Sequence, residues 1–306
     1  MLLFFAGVFT AGRKKVAARE ITHTLPAFRP NKSRARVTVP FFFSLWRRAT
    51  WRRAGLAALA LVIGIACHKR EVPGQNAADQ LTFLTSDGVQ LAATLYTVAT
   101  PKAPGLIFVH AMGDDRQTWR PLTERAWREG FECLAFDVRG HGASIHQGAE
   151  TLDYRKFTDA AWQSAVQDIA AAKRALVEQG VDAANIGVVG AGIGASLAAR
   201  YAASDPDIAA IVLLSPGLEE HGFGVVNDIV TYGQRPVLLM SAQDDSYSTA
   251  SCATLKQRAP GFCELRTYTG AARGTDLLAA SPNAVEQAVQ WLIPILKSSK
   301  TPARAP

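Results

Sequence analysis

The stretch that decides the fold is "NIGVVGAGIGASLAARYA", residues 185–202. Its first half, "NIGVVG", is a short, continuous apolar run, as expected of a strand buried on both faces. Its second half reads as a helix. Between them Gly190, Gly192 and Gly194 leave three positions free of side-chain bulk, so the chain can turn sharply from one to the other. The apex of that turn is Gly192, which has no side chain.

Similar runs recur on either side: "GLIFVH" (105–110), "FECLAFD" (131–137), "AAIVLLS" (209–215), "RPVLLMSA" (235–242) and "CELRTYT" (263–269). Helical segments are predicted between them, near 118–129, 157–179, 194–203, 224–232, 248–258 and 283–298. Ahead of them "LTFLTSDGVQLAATLYT" has two alternating runs around "SDG", the pattern of a hairpin. Strand–helix alternation predicts an α/β fold, a mostly parallel central sheet with helices on both faces. Ligands of such sheets sit beyond the carboxyl ends of the strands, so the residues that follow each run carry the chemistry.

Read in order, those ends are "HAMGDDRQTW", "DVRGHGAS", "GAGIGAS", "SPGLEEHG", "AQDDSYS" and "GAARGTDLL". This series resembles the α/β-hydrolases, and within them the small bacterial esterases and dienelactone-hydrolase-like proteins, over about residues 80–298. The resemblance implies that "HAMG" is an oxyanion loop and "GAGIGAS" a nucleophile elbow, with backbone N–H groups of Met112 and Ile193 as oxyanion donors. About twenty residues separate "LLS" from "RPVLLM", too few for a substantial lid.

The same resemblance makes the departures specific. The family's elbow reads Gly-x-Ser-x-Gly, and the serine position is Gly192. The acid position falls on Asp245, with Asp244 as its neighbour. The base position, in a segment the family writes Gly-Ala-x-His-Gly-Thr-Asp, is Arg273. Without a hydroxyl, thiol or carboxylate there is no nucleophile for a covalent intermediate. An arginine stays protonated and is no general base near neutral pH. Asp245 and Arg273 can form a charge-assisted pair, either neutralising each other or leaving a cation at the rim of a small cleft that holds a carboxylate or other anion. His221, in "LEEHGF", is the histidine available as a substitute base. His110 and His141 read as loop-structuring residues, Ser196 as a small packing residue within a helix, and the adjacent Glu219 and Glu220 as side chains pointing apart.

The net charge of +7 belongs to the leader. Residues 1–70 carry 14 Lys/Arg against one acid, whereas residues 71–306 carry 19 against 25. The folded part is mildly acidic and lacks the clustered cations that phosphate neutralisation needs, which excludes a nucleic-acid partner. Residues 1–40 lack sustained periodicity and are rich in Arg, Lys and Pro, an expected disordered segment or over-extended start. In 41–67, "LWRRATWRRAGLAALALVIGIAC" joins paired arginines to an apolar run shorter than the about 20 residues of a membrane span. It ends in Ala66-Cys67 and resembles a bacterial lipoprotein signal, with Cys67 the lipidated residue. Gly64 departs from that pattern, and ordinary secretion or a retained anchor remain open. Residues 68–79 read as a linker and 299–306 as a flexible tail. Cys133 reads as a buried strand residue, and Cys252 with Cys263 as a disulfide candidate in an oxidising compartment. No Cys/His spacing marks a metal site, and no cofactor is implied.

Three functional readings follow. The first is an exported, lipid-anchored pseudoenzyme at the cell envelope, holding a small ligand or partner. The second is a carboxylic-ester hydrolase of residual or unconventional activity, working through Asp245 or His221. The third is a structural or interaction protein of the envelope.

Overall fold

The structure, a computed structural model, describes residues 78–297. The segments assigned above to 1–40, 41–67 and 299–306, Cys67 and nearly all of the linker lie outside the described residues. The hairpin forms as expected: β1 (Ala78–Leu84) pairs antiparallel with β2 (Val89–Tyr96) around Gly88, which has a φ of 84°. The six apolar runs become β3 (Gly105–Val109), β4 (Glu132–Phe136), β5 (Ile186–Ala191), β6 (Ile208–Leu214), β7 (Val237–Ala242) and β8 (Cys263–Tyr268). They lie in the order β1-β2-β4-β3-β5-β6-β7-β8, parallel from β4 to β8. Two further pairs, each of two residues, went unpredicted: His146–Gln147 with Glu150–Thr151 beside β2, and Glu219–Glu220 with Phe223–Gly224.

Among the described residues eight α-helices flank the sheet: α1 (Arg120–Arg128), α2 (Asp159–Ser164), α3 (Val166–Glu178), α4 (Ile193–Ser204), α5 (Val225–Tyr232), α6 (Ser246–Arg258), α7 (Asp276–Ala280) and α8 (Pro282–Lys297). The two-residue period of the strands divides the core between the faces of the sheet. On β3, Ile107 and Val109 pack with Ile169 of α3, Leu197 of α4 and Leu255 of α6. Leu106 and Phe108 belong to the other face, with Leu122 of α1, Leu277 of α7 and Leu292 of α8. Every side chain of β3 is buried, which is why its sequence shows no polar alternation. No helix among the described residues is long and apolar enough to cross a membrane.

The helix expected over 157–179 is broken in two. Thr158 caps α2 by accepting from the Ala161 N–H, and Ala165 then interrupts with a tight i−3 bond to the Trp162 carbonyl. The Ser164 hydroxyl donates to the Ala160 carbonyl in the preceding turn, a back-bond of the kind that bends helices. The connection from β6 to α5 holds only the small Glu219–Gly224 hairpin, so this connection contributes no lid domain.

The disulfide expectation is corrected. Cys252 and Cys263 are both free thiols, as is the buried Cys133. Cys252 faces the core from α6, fully buried, whereas Cys263 opens β8 and is only partly covered. Burial pushes the Cys252 thiol up to about 12 and that of Cys263 to about 11, which keeps both protonated near neutral pH.

Candidate active site

The turn between β5 and α4 has the geometry of a nucleophile elbow. Gly192 sits at φ 53° and ψ −122°, a region that side-chain-bearing residues rarely enter. Its N–H donates to the Leu214 carbonyl at 3.0 Å, fixing the turn to the end of β6. The flanking glycines are required by space. A Cβ on Gly190 would lie 2.2 Å from the Gly194 carbonyl oxygen, and one on Gly194 would lie 2.2 Å from that of Val109. At the apex there is room: a Cβ on Gly192 would meet only Ala111, at 3.2 Å from its Cβ. The backbone therefore presents a side chain at 192, and the sequence supplies none.

Two loops converge there. Ala111 follows β3, and the start of α4 packs against the end of that strand, so the Met112 and Ile193 segments flank the elbow. Ile193 opens the first turn of α4, where intrahelical bonding leaves N–H groups free. From the other side comes the loop after β8. The Gly274 N–H donates to Ser215 Oγ at 3.0 Å, and the Ser215 N–H to the Met240 carbonyl at 2.8 Å. A Cβ on Gly274 would touch the same Ala111 Cβ at 3.5 Å. The elbow, the loop after β3 and the loop after β8 thus meet around one alanine methyl.

Asp245 stands at the end of β7 as the cap of α6, its Oδ1 accepting from the Ser248 N–H at 3.3 Å. Its Oδ2 lies 2.9 Å from Arg273 Nε. The N–H is not aimed at that oxygen, which has no hydrogen bond of good geometry, so the contact is an ion pair and not a directed bond. Asp245 is buried, with 6% of its side chain exposed, whereas 61% of the Arg273 side chain is exposed. The guanidinium lies 6.0 Å from the centre of the Tyr247 ring. Acid and base positions are therefore adjacent, but the partner of the acid is a permanent cation. Asp244 has a backbone role, its N–H donating to the Gly270 carbonyl at 2.8 Å.

The loop histidines are held as structural groups. His110 Nε2 accepts from the Val138 N–H at 2.9 Å, which assigns the proton to Nδ1, 2.8 Å from the Ala111 carbonyl. Burial lowers its pKa. His141 Nδ1 faces the Arg139 carbonyl at 3.0 Å, and its ring stacks on Tyr154 at 3.9 Å. Burial, with His110 beside it, lowers its pKa to about 4. Ser196 is fully buried in α4, as expected of a packing residue.

His221 lies elsewhere than beside Asp245. Its Nδ1 is 3.2 Å from Asp159 Oδ1, and its ring stacks on Trp162 at 5.2 Å, both on α2. The neighbouring Glu220 is half-buried, and burial raises its pKa against the opposing charges of His221 and Arg273. Glu219 is exposed, so the two glutamates do point apart.

The supports of these loops went unread in the sequence. Arg139 is buried and paired with Asp168 of α3 (Nε to Oδ1, 2.8 Å) and with Asp87 of the hairpin turn (Nη1 to Oδ2, 2.6 Å). Asp137 accepts from the backbone N–H groups of Arg116 and Ala143, each at 2.8 Å, and pairs with the Arg116 side chain. Thr275 donates to Asp114 at 2.8 Å, and burial raises the pKa of that carboxyl. The "DVRGHGAS" string was the only signal for the first two. Among the described residues no three His, Cys, Asp or Glu side chains gather as a metal site.

Comparison with known proteins agrees with the fold. A sequence profile described as the alpha/beta hydrolase family matches residues 106–299. No curated protein sequence matches the chain. Among solved structures, that of DcsB in complex with its substrate analogue superposes with a TM-score of 0.61 at 15% identity, covering 72% of this chain and 99% of that one. The Pyrococcus furiosus esterase Pf2001 gives 0.57 at 19%, covering 72% and 93%. The dienelactone hydrolase from Anabaena variabilis gives 0.56 at 17%, covering 72% and 99%. At these identities the structures attest the fold alone; with the strand order, the elbow at Gly192 and the profile over 106–299, the chain belongs to the alpha/beta hydrolase family.

Proposed function

We propose that this chain is a catalytically silent member of its family that holds a small anionic ligand, a carboxylate above all, in the cleft where a substrate would react. One observation carries the reading: the strained elbow survives at φ 53° and ψ −122° around a glycine, while the base position offers an arginine 2.9 Å from Asp245. A covalent route lacks its nucleophile and its base. What remains suits binding, since Arg273 engages Asp245 through one edge of its guanidinium and leaves an exposed edge to form charge-assisted bonds. Backbone donors at the start of α4 favour the same sign of charge.

The leader supports the further proposal that the protein is exported and anchored at the bacterial envelope through Cys67. Replacement of Cys67 by serine should then move the full chain from the membrane fraction to the soluble one; unchanged fractionation rejects the lipid anchor.

A second reading, hydrolysis by water activated at His221, draws on the Asp159–His221 pair. One experiment separates the two. The full chain and its double variant Gly192→Ser/Arg273→His are assayed with short activated esters and a serine-reactive phosphonate. A silent parent and a reactive variant are expected. Turnover by the parent above buffer, lost in His221→Ala, overturns the binding reading in favour of the second. A parent that is silent and is stabilised by no carboxylate in the series acetate to benzoate leaves only a structural role.

A further inference from the structure

At the end of the sheet opposite the elbow, where β3 and β4 begin, lies a cavity of about 470 Å³. It is bounded by the turn that leads into β3, with Thr97, Thr100 and Lys102, by Glu132 at the start of β4, and by Gln179 and Gly180 after α3. Glu132 is the unusual member. It is a carboxylate at 5% exposure on the rim of a parallel sheet, in a position flanked by apolar strand residues. One of its oxygens, Oε2, accepts from the Val98 N–H at 3.2 Å. The carboxylate makes no ion pair among the described residues, although it has room for several more donors. Oε1 is not a sealed, unpartnered atom, and Glu132 lines the cavity.

The surroundings favour one sign of ligand. Helix α3 ends at Glu178, and the two residues that cap it, Gln179 and Gly180, form one wall, so the carbonyl end of a 13-residue helix faces the cavity. Lys102 is the other charged side chain of the lining. It is exposed on a turn, at a φ of 55°, and lies beyond ion-pair distance of Glu132. A buried carboxylate that retains unfilled acceptor capacity gains most from a cation that brings its own N–H donors. Val98 and Val181 supply apolar contact for a short aliphatic body.

We propose that this cavity is a second binding site, for a small organic cation of the primary-ammonium class, with Glu132 as its anchor. It is independent of the cleft around Gly192, because the two sit at opposite ends of the strands. Burial raises the Glu132 pKa, and a bound cation opposes that shift, so binding weakens as pH falls and the carboxyl takes up a proton.

The full chain is titrated calorimetrically with n-butylammonium chloride at constant ionic strength, with n-butanol as the uncharged probe of the same shape. Saturable binding of the ammonium with a dissociation constant on the order of 1 mM is expected, and none of the alcohol. Glu132→Gln retains an oxygen for the Val98 N–H and should weaken binding at least about tenfold. Should that variant fail to fold, Lys102→Glu on the exposed turn takes its place and should tighten binding about threefold by exchanging a repelling charge for an attracting one. The proposal is overturned by the absence of saturation up to about 50 mM. Equal binding of the alcohol, or binding that neither variant changes in the stated direction, also overturns it.

Discussion

At the scale of the residue, one absent side chain and one permanent charge define the candidate site. Gly192 retains a backbone conformation that a glycine does not need and that a reactive residue would have to be forced into. The space around the turn shows where substitution is tolerated. A Cβ at Gly194 would penetrate the Val109 and His110 carbonyls, at 2.2 and 2.5 Å. Gly194→Ala should therefore cost about 3 kcal/mol or more, as a forced shift of backbone in a filled core. Gly224→Ala is the matched control, since its φ is −96° and its nearest neighbour, Asn227, would stand 3.6 Å away. Denaturant melts should place the control within about 0.5 kcal/mol of the parent. Equal stabilities of the two variants would show that the start of α4 does not pack against β3 as described.

At the scale of the element, the hairpin turn, the loop after β4 and α3 are joined by one buried cation. Arg139 spans Asp87 and Asp168 with side-chain bonds of 2.6 to 3.1 Å, to partners 52 and 29 residues distant. Removing the cation leaves Asp168, fully buried, without its counter-charge, so Arg139→Met should cost about 3 to 5 kcal/mol. The double variant Arg139→Met/Asp168→Leu also removes the buried carboxylate, leaves only the partly exposed Asp87, and should cost less than Arg139→Met alone. A strictly additive cycle would mean that the pair contributes no coupling and that the three elements are held by apolar packing only. None of this was legible as an interaction. The string "DVRGHGAS" placed Arg139 in a loop, but a side chain's partner 29 positions away is fixed by how α3 crosses the sheet.

At the scale of the whole molecule, acid should act through buried neutral imidazoles. The folded-state pKa of His141 is lowered to about 4 from an ordinary 6.5, and that of His110 is lowered too. As pH falls through 6.5 the unfolded chain takes up these protons while the folded chain does not, so stability is lost between about 6.5 and 4. The His141 contribution is at most about 3 kcal/mol. Asp168 titrates in the same window with the opposite sign, because burial raises its pKa to about 6 and the folded chain then binds the proton first. The difference between the melting curves of the parent and of His141→Phe, taken from pH 7 to 4.5, isolates the histidine. The gap between the two should change in favour of the variant as pH falls; a constant gap would mean that His141 is charged in the folded state.

The sequence by itself determined the strand runs, their alternation with helices and the loops in which chemistry would reside, because each depends on local composition and on a period of two or 3.6 residues. It also determined what is missing, since Gly192 and Arg273 are read directly against the spacing of their flanks. The tertiary structure alone decided who meets whom. It seated His221 on Asp159 of α2, joined Arg139 to Asp87 and Asp168, left Cys252 and Cys263 as separate thiols and placed Glu132 in the lining of a cavity. Those outcomes depend on distances between residues far apart in the chain, which are set when helices and strands pack at a density that admits few alternatives.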